Sequence, residues 1–306
     1  MRERQASRRG EWLELELEQF GAGSHPHQLR QWLLARSMFP AKWINRLFSI
    51  GGIRLREGRI QLLAFPAVKP AEDELYRAAM RMELEHAVPV LYEDDYCLVL
   101  HKPAGMPVHS SYAGQFGTLD QAAARHLLNV GDPLAVKHIH RLDDDTSGPV
   151  LYAKNDLAQF RLDEAMREKR IERIYLAVVE GYVSKKAGVV DQPIGKDRHH
   201  AKRRRVSPNG EKALTRFEKL AANDQWSLLR LRLETGRTHQ IRVHMSYIGH
   251  PLAGDVLYGG ADRALQHQAL HGETLLFSHP LHGDKIVVEA PRPSWLHAFA
   301  KRIEER

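Results

Sequence analysis

The chain has 306 residues, 43% of them apolar, enough to bury a sizeable core in one large domain or two unequal ones. Its formal net charge is +7, a balance that favours polyanionic partners, nucleic acid first. The one cysteine, Cys97, excludes an internal disulfide and a cysteine-cluster metal site, and no apolar run approaches the ~18 residues of a membrane span.

Residues 1–25 are charge-rich and then broken by Gly21 and Gly23. They read as frayed, and they lack the apolar stretch of a secretory signal. Leu29, Trp32 and Leu33 then repeat at helical spacing. Phe39-Pro40 opens a second helix with Trp43, Ile44, Leu47 and Phe48 on one face. Ser49–Gly58 (SIGGIRLREG) reads as a hairpin with a glycine turn, and Arg46, Arg54, Arg56 and Arg59 lie close by. Ala64–His86 is charged and proline-bearing, as a linker would be. The expected division is an N-terminal module over 1–65, a linker over 66–88 and a main domain over 89–306.

In the main domain, strand-like runs (Leu98–Leu100, Val150–Ala153, Tyr175–Glu180, Trp226–Glu234, Lys285–Glu289) are mixed with helical ones (Leu119–Leu127, Leu157–Arg167, Thr238–Ile248). No regular crossover helices separate the strands. That pattern predicts an α+β fold with a mixed, mostly antiparallel sheet and flanking helices. Lys196–Arg205 (KDRHHAKRRR) holds six Lys/Arg and two His against one acid, so it reads as a solvated loop and a phosphate track.

His140–Gly148 (HRLDDDTSG) is the most informative stretch. It sets Asp143 between a basic pair, His140 and Arg141, and a Thr-Ser-Gly turn. A carboxylate beside a cation is held ionised and can act as nucleophile or base. The apolar run that follows reads as a buried strand, which would put the carboxylate on a loop at its mouth. The plainer alternative is an acidic turn that caps a helix. A Ser-His-Asp hydrolase reading of Ser147, His140 and Asp143 lacks the G-x-S-x-G elbow.

This stretch resembles the HRLD-x-x-TSG signature of the RluA-type pseudouridine synthases. Leu91–His109 (LYEDDYCLVLHKPAGMPVH), Arg173–Gly181 (RIYLAVVEG), Thr235–His244 (TGRTHQIRVH), His250–Tyr258 (HPLAGDVLY) and Gln268–Pro280 (QALHGETLLFSHP) resemble further motifs of that family in the same order. The resemblance implies the pseudouridine synthase fold and isomerisation of uridine to pseudouridine in structured RNA, rRNA or tRNA. It implies Asp143 as the nucleophile, Tyr175 as the wall behind the uracil ring and Arg242 as the basic partner of Asp143, with Arg237 the competitor for that pairing. His140, Arg141, Thr146, Arg237 and His239 become expected RNA or substrate contacts. Arg173 stands where the family often has lysine. The N-terminal helices and hairpin look like a degenerate S4-type RNA-binding module. The expected protein is a cytoplasmic monomer with no obligate protein partner, no membrane contact, no cofactor and no metal. The competing reading is a non-catalytic RNA-binding protein on the same scaffold.

Overall fold

The computed structural model describes residues 6–16, 25–82, 88–261 and 265–304. Strands β1 (Ala6–Arg9) and β2 (Trp12–Glu16) come first, then helices α1 (Pro26–Ala35) and α2 (Ala41–Ser49), then β3 (Ile53–Arg56) and β4 (Arg59–Leu63). The four strands form one sheet in the order β1-β2-β4-β3. The predicted helix pair is therefore present, while the hairpin is shifted from Ser49–Gly58 to Ile53–Leu63, because Ser49 still belongs to α2 and the turn is made at Glu57-Gly58. The start of the chain differs from expectation: Ala6–Glu16 is a paired hairpin, not a frayed end, while residues 1–5 and 17–24 lie outside the described residues. Its stabilisation is visible in Leu13 and Leu15, which enter the core, and in Glu14, which accepts hydrogen bonds from Gln61 and Arg59.

The segment expected as a linker carries a helix, α3 (Glu74–Met80), capped by Asp73 and tied down by Tyr76 Oη donating to Leu134 O at 2.5 Å. Residues 83–87 of that segment lie outside the described residues. The N-terminal sheet is docked on the rest of the chain. Arg8 pairs with Asp132 at 2.5 Å and Asp95 at 2.9 Å, and Arg161 donates to Met38 O at 2.6 Å. One hydrophobic cluster runs from Leu13, Trp43 and Ile60 through to Cys97 and Leu151.

The main body continues with β5 (Val90–Glu93), β6 (Cys97–Lys102), α4 (Leu119–Asn129), β7 (Lys137–His138), β8 (Gly148–Ala153) and α5 (Asp156–Arg167). Then come β9 (Glu172–Glu180), β10 (Ala187–Asp191), β11 (Ile194–Lys196), β12 (Arg204–Val206), β13 (Leu214–Ala222), β14 (Trp226–Leu233), α6 (Gln240–Tyr247), β15 (Leu270–Ser278), β16 (Lys285–Glu289) and α7 (Ser294–Glu304). A six-stranded sheet has the order β10-β13-β14-β9-β15-β16, and a four-stranded one β5-β6-β8-β7. Among the described residues every ladder between these strands is antiparallel, where the sequence predicts a mixed, mostly antiparallel sheet. The Lys196–Arg205 stretch is not a plain loop. β11 and β12 pair at its ends and hold it as a basic hairpin.

The two large sheets meet where β8 starts. Gly272 N–H donates to Ser147 O at 2.7 Å, and Ser147 forms a parallel bridge with His271. Gly148 has φ +137°, and a Cβ on it would lie 2.7 Å from the Gly272 Cα and N. Only glycine fits both the backbone and the space. Gly272 is also the register partner of Tyr175 on β9, so this contact sets the loop before β8 directly over Tyr175. Gly148→Ala should therefore cost roughly 2–5 kcal/mol, the sum of the clash and the disfavoured φ. Urea unfolding measures it, and a wild-type midpoint would mean the two sheets yield freely at this point.

Candidate active site

The loop between β7 and β8 carries Asp143, and a turn closed by Thr146 N–H donating to Asp143 O at 3.0 Å fixes its backbone. From below, Lys102 at the end of β6 donates its ammonium to Asp144 O at 2.6 Å, Met106 O at 2.5 Å and Pro103 O at 2.9 Å. Burial brings the Lys102 pKa down to about 8, against the pull of Asp144, Asp145 and Asp143. This lysine staples the loop that follows β6 to the loop that holds Asp143. The Asp143 side chain keeps 24% of its surface exposed, at the floor of a cleft of about 1200 Å³.

Arg242 enters from α6 and lies 3.6 Å from Asp143 through Nη1. Its stronger partner is Asp255, which accepts from Nε at 2.7 Å and from Nη2 at 2.8 Å. Two parallel bonds fix the plane of a guanidinium. Asp255 therefore sets the orientation of Arg242, and the remaining face is presented to Asp143. Burial works against the Arg242 charge, but the bonds and charge of Asp255 outweigh it and hold the group above its ordinary value. The Tyr258 ring supports the guanidinium from the side, 4.9 Å from ring centroid to Cζ. Of the two arginines weighed for the pairing, Arg242 meets Asp143. Arg237 instead pairs with Glu211 and donates to Lys212 O at 3.0 Å.

Tyr175 lies beneath Asp143 on β9, 4% exposed, and lines a smaller recess of the cleft with Asp143, Arg173 and Arg242. Burial pushes its phenol above the ordinary value. Arg141 is exposed and donates to His109 Nε2 at 3.4 Å on the cleft rim. His239 lines the cleft in a left-handed backbone conformation, φ 57°, just before α6. Two of the expected RNA contacts are largely buried. His140 is 6% exposed, accepts from Leu151 N–H at 3.3 Å and is kept neutral, burial pulling its pKa down to about 3. Thr146 is 2% exposed and accepts from Gln268 Nε2 at 3.2 Å. Both are turned inward because the strand that follows them is buried on both faces. They shape the turn, and each still borders the substrate space, His140 in the cleft and Thr146 in its smaller recess.

Sequence reasoning assigned no role to Asp255, Tyr258 or Lys102. All three lie in stretches matched to family motifs, and that was the signal available. Arg173 also gains weight. Its guanidinium lies over Gly236, where a Cβ would come 2.9 Å from Nη1, and no described carboxylate is within ion-pair distance. It leaves a positive charge facing the recess beside Tyr175.

Arg242→Ala would strand Asp255, a buried carboxylate, without its counter-charge, and the expected loss is about 3–5 kcal/mol. Arg242→Lys keeps the charge but not the fork and should retain most of that stability. Chemical denaturation of both variants checks the ordering, and equal stability in the Ala variant and the wild type would contradict it.

Comparison with known proteins shows the family to which the chain belongs. Residues 95–247 match the family model described as RNA pseudouridylate synthase. An uncharacterised RNA pseudouridine synthase of Bacillus subtilis (strain 168), YhcT, is 47% identical over 207 residues, covering 67% of this chain and 68% of that one. A ribosomal large subunit pseudouridine synthase D of Nitrosomonas europaea is 40% identical over 228 residues, covering 71% and 66%. In fold, the human RNA pseudouridylate synthase domain containing 1 aligns with a TM-score of 0.59 at 23% identity, over 74% of this chain and 98% of that one. The chain belongs to the RNA pseudouridylate synthase family and is an RNA pseudouridine synthase of the RluA type, an isomerase.

Proposed function

We propose that this enzyme isomerises a uridine in structured RNA, with Asp143 as the group that starts cleavage of the N1–C1′ bond. Large-subunit ribosomal RNA is the favoured substrate, in line with the relatives named for it. The observation that carries the reading is the Asp143–Arg242 pair at the floor of an open, basic cleft. A pure RNA binder gains nothing from a carboxylate held there, because it repels phosphate.

The reaction needs the base to leave C1′, turn within the site and rebond through C5, with loss of the C5 proton. It is redox-neutral and internal, so its chemistry calls for neither cofactor nor metal. Tyr175 forms a flat wall on which uracil can stack, and its hydroxyl is suited to the C5 proton. Arg141 at the rim supports the RNA from which the uridine is flipped. Arg173, facing the recess, suits a phosphate next to that nucleotide. The N-terminal helices and hairpin serve as an S4-like accessory contact. Arg46 and Arg59 there already hold Asp156 and Glu16, which leaves the larger electrostatic share to the basic hairpin. The enzyme works as a cytoplasmic monomer.

Asp143→Asn should abolish tritium release from RNA labelled at uridine C5 while RNA affinity stays near wild type, since phosphate contacts dominate binding. Measurable turnover by this variant would end the assignment of Asp143. Replacing the exposed Arg198, Lys202 and Arg205 by Ala should weaken binding to all RNAs alike and reduce the salt slope by roughly 0.7–0.9 for each phosphate no longer neutralised. Binding measured across a salt series decides this, and an unaltered slope would remove the hairpin from the interface.

A further inference from the structure

Tyr258 closes the HPLAGDVLY motif and is 3% exposed, yet it touches three separate parts of the site. Its ring flanks the Arg242 guanidinium. It stands edge-on to His239, with ring centroids 5.7 Å apart at 88°. Its hydroxyl accepts from Arg204 N–H on β12 at 2.8 Å and lies 2.9 Å from His239 Nδ1.

The direction of the last bond follows from satisfaction of donors. The Tyr258 hydroxyl has one proton, and among the described residues His239 Nδ1 is the acceptor within reach. Leaving that proton unbonded in a buried site would be costly. The hydroxyl therefore donates to Nδ1, and the imidazole carries its own proton on Nε2. Burial pushes His239 below its ordinary value against the opposing pull of Asp143, which agrees with a neutral ring. The Nε2–H has no protein acceptor among the described residues, and His239 lines the cleft beside Asp143. Its backbone is left-handed, a conformation that costs a β-substituted residue energy and tends to persist where side-chain direction matters.

We propose that Tyr258 is a positioning residue that fixes His239 as the Nε2–H tautomer, and that this N–H is the hydrogen-bond donor to a carbonyl oxygen of the uracil while the base is detached from C1′. The inference rests on the isomerase reading above. In that step the electron pair of the N1–C1′ bond passes to the ring, where it is shared by the carbonyl oxygens. It returns to C1′ from C5 when the new bond forms; the C5 proton is then relayed through the Tyr175 hydroxyl and N1 takes up a proton, so the isomerised base is neutral again. A fixed neutral donor stabilises the ring while it carries that charge and needs no reorganisation. It also keeps hold of the base as it turns.

The test separates the two links. In the free protein, long-range ¹H–¹⁵N NMR of the His239 ring should show a single Nε2–H form, and Tyr258→Phe should convert it to a mixture of tautomers. No RNA is needed, so this result does not depend on the isomerase reading. With RNA, Tyr258→Phe should lower kcat roughly tenfold and His239→Leu roughly a hundredfold, each with KM little changed. His239→Gln, whose amide N–H reaches where Nε2–H did, should recover part of the loss. A wild-type tautomer in Tyr258→Phe overturns the positioning role. Full kcat in His239→Leu, or a Gln variant no better than Leu, overturns the donor role. If Asp143→Asn still turns over while the tautomer shifts as stated, the isomerase reading of Asp143 fails and the Tyr258 positioning stands.

Discussion

The structure depends on one close approach, that of the Gly148 and Gly272 backbones. Two twisted sheets can share a core through side chains at about 10 Å, but here they touch main chain to main chain. The approach has consequences on both sides. On β15 it selects Gly272, whose register partner is Tyr175. On β8 it fixes Ser147 and hence the turn back to Asp143. Asp143 in the loop before β8 and Tyr175 on β9 are thereby brought to one recess without any bond between them. Lys102 braces the same loop from the other side by donating to the carbonyls of Pro103, Met106 and Asp144.

The electrostatics are asymmetric in a useful way. Arg242 lies between two carboxylates, but it commits its two best-aligned donors to Asp255 and approaches Asp143 at 3.6 Å. Asp255 is buried and serves as the anchor. Asp143 is part-exposed and is held by charge more than by geometry. A carboxylate bonded as tightly as Asp255 would have to break two charge-assisted hydrogen bonds before it could move. Division of labour between the two acids lets the arginine stay fixed while Asp143 is free to move toward a substrate.

Much of this was legible in the sequence, for identifiable reasons. HRLDDDTSG announced the loop, and the apolar run after it announced a fully buried strand. The 3.6-residue pattern placed α4 and α5 close to their observed limits. Asp255 as partner was not legible. It stands 13 residues from Arg242 across a turn, and local pattern carries no sign of a pairing made by tertiary packing. The resemblance made His140 and Thr146 expected RNA or substrate contacts, but their burial was not legible: the short loop descends into a buried strand and takes them with it. The β1–β2 hairpin was missed because its charge masked an alternation: Leu13 and Leu15 point into the core, and Glu14, also buried, is neutralised by Arg59 and bonded by Gln61. Charge counted along a chain cannot distinguish solvated residues from paired ones.

The docking of the first hairpin also constrains the order of biosynthesis. Arg8 finds its partner Asp132 a full 124 residues later, and Phe65, over which its guanidinium lies, packs against Tyr96. At about 5–20 residues per second, a ribosome needs roughly 6–25 s to supply that partner. During this interval the N-terminal sheet has an unpaired arginine and an uncovered apolar face. The β1–β2 strands thus complete their contacts only after Asp132 has been made. A chain interrupted within this window leaves the apolar residues of β2 without the part of the core that Tyr96 and Cys97 complete.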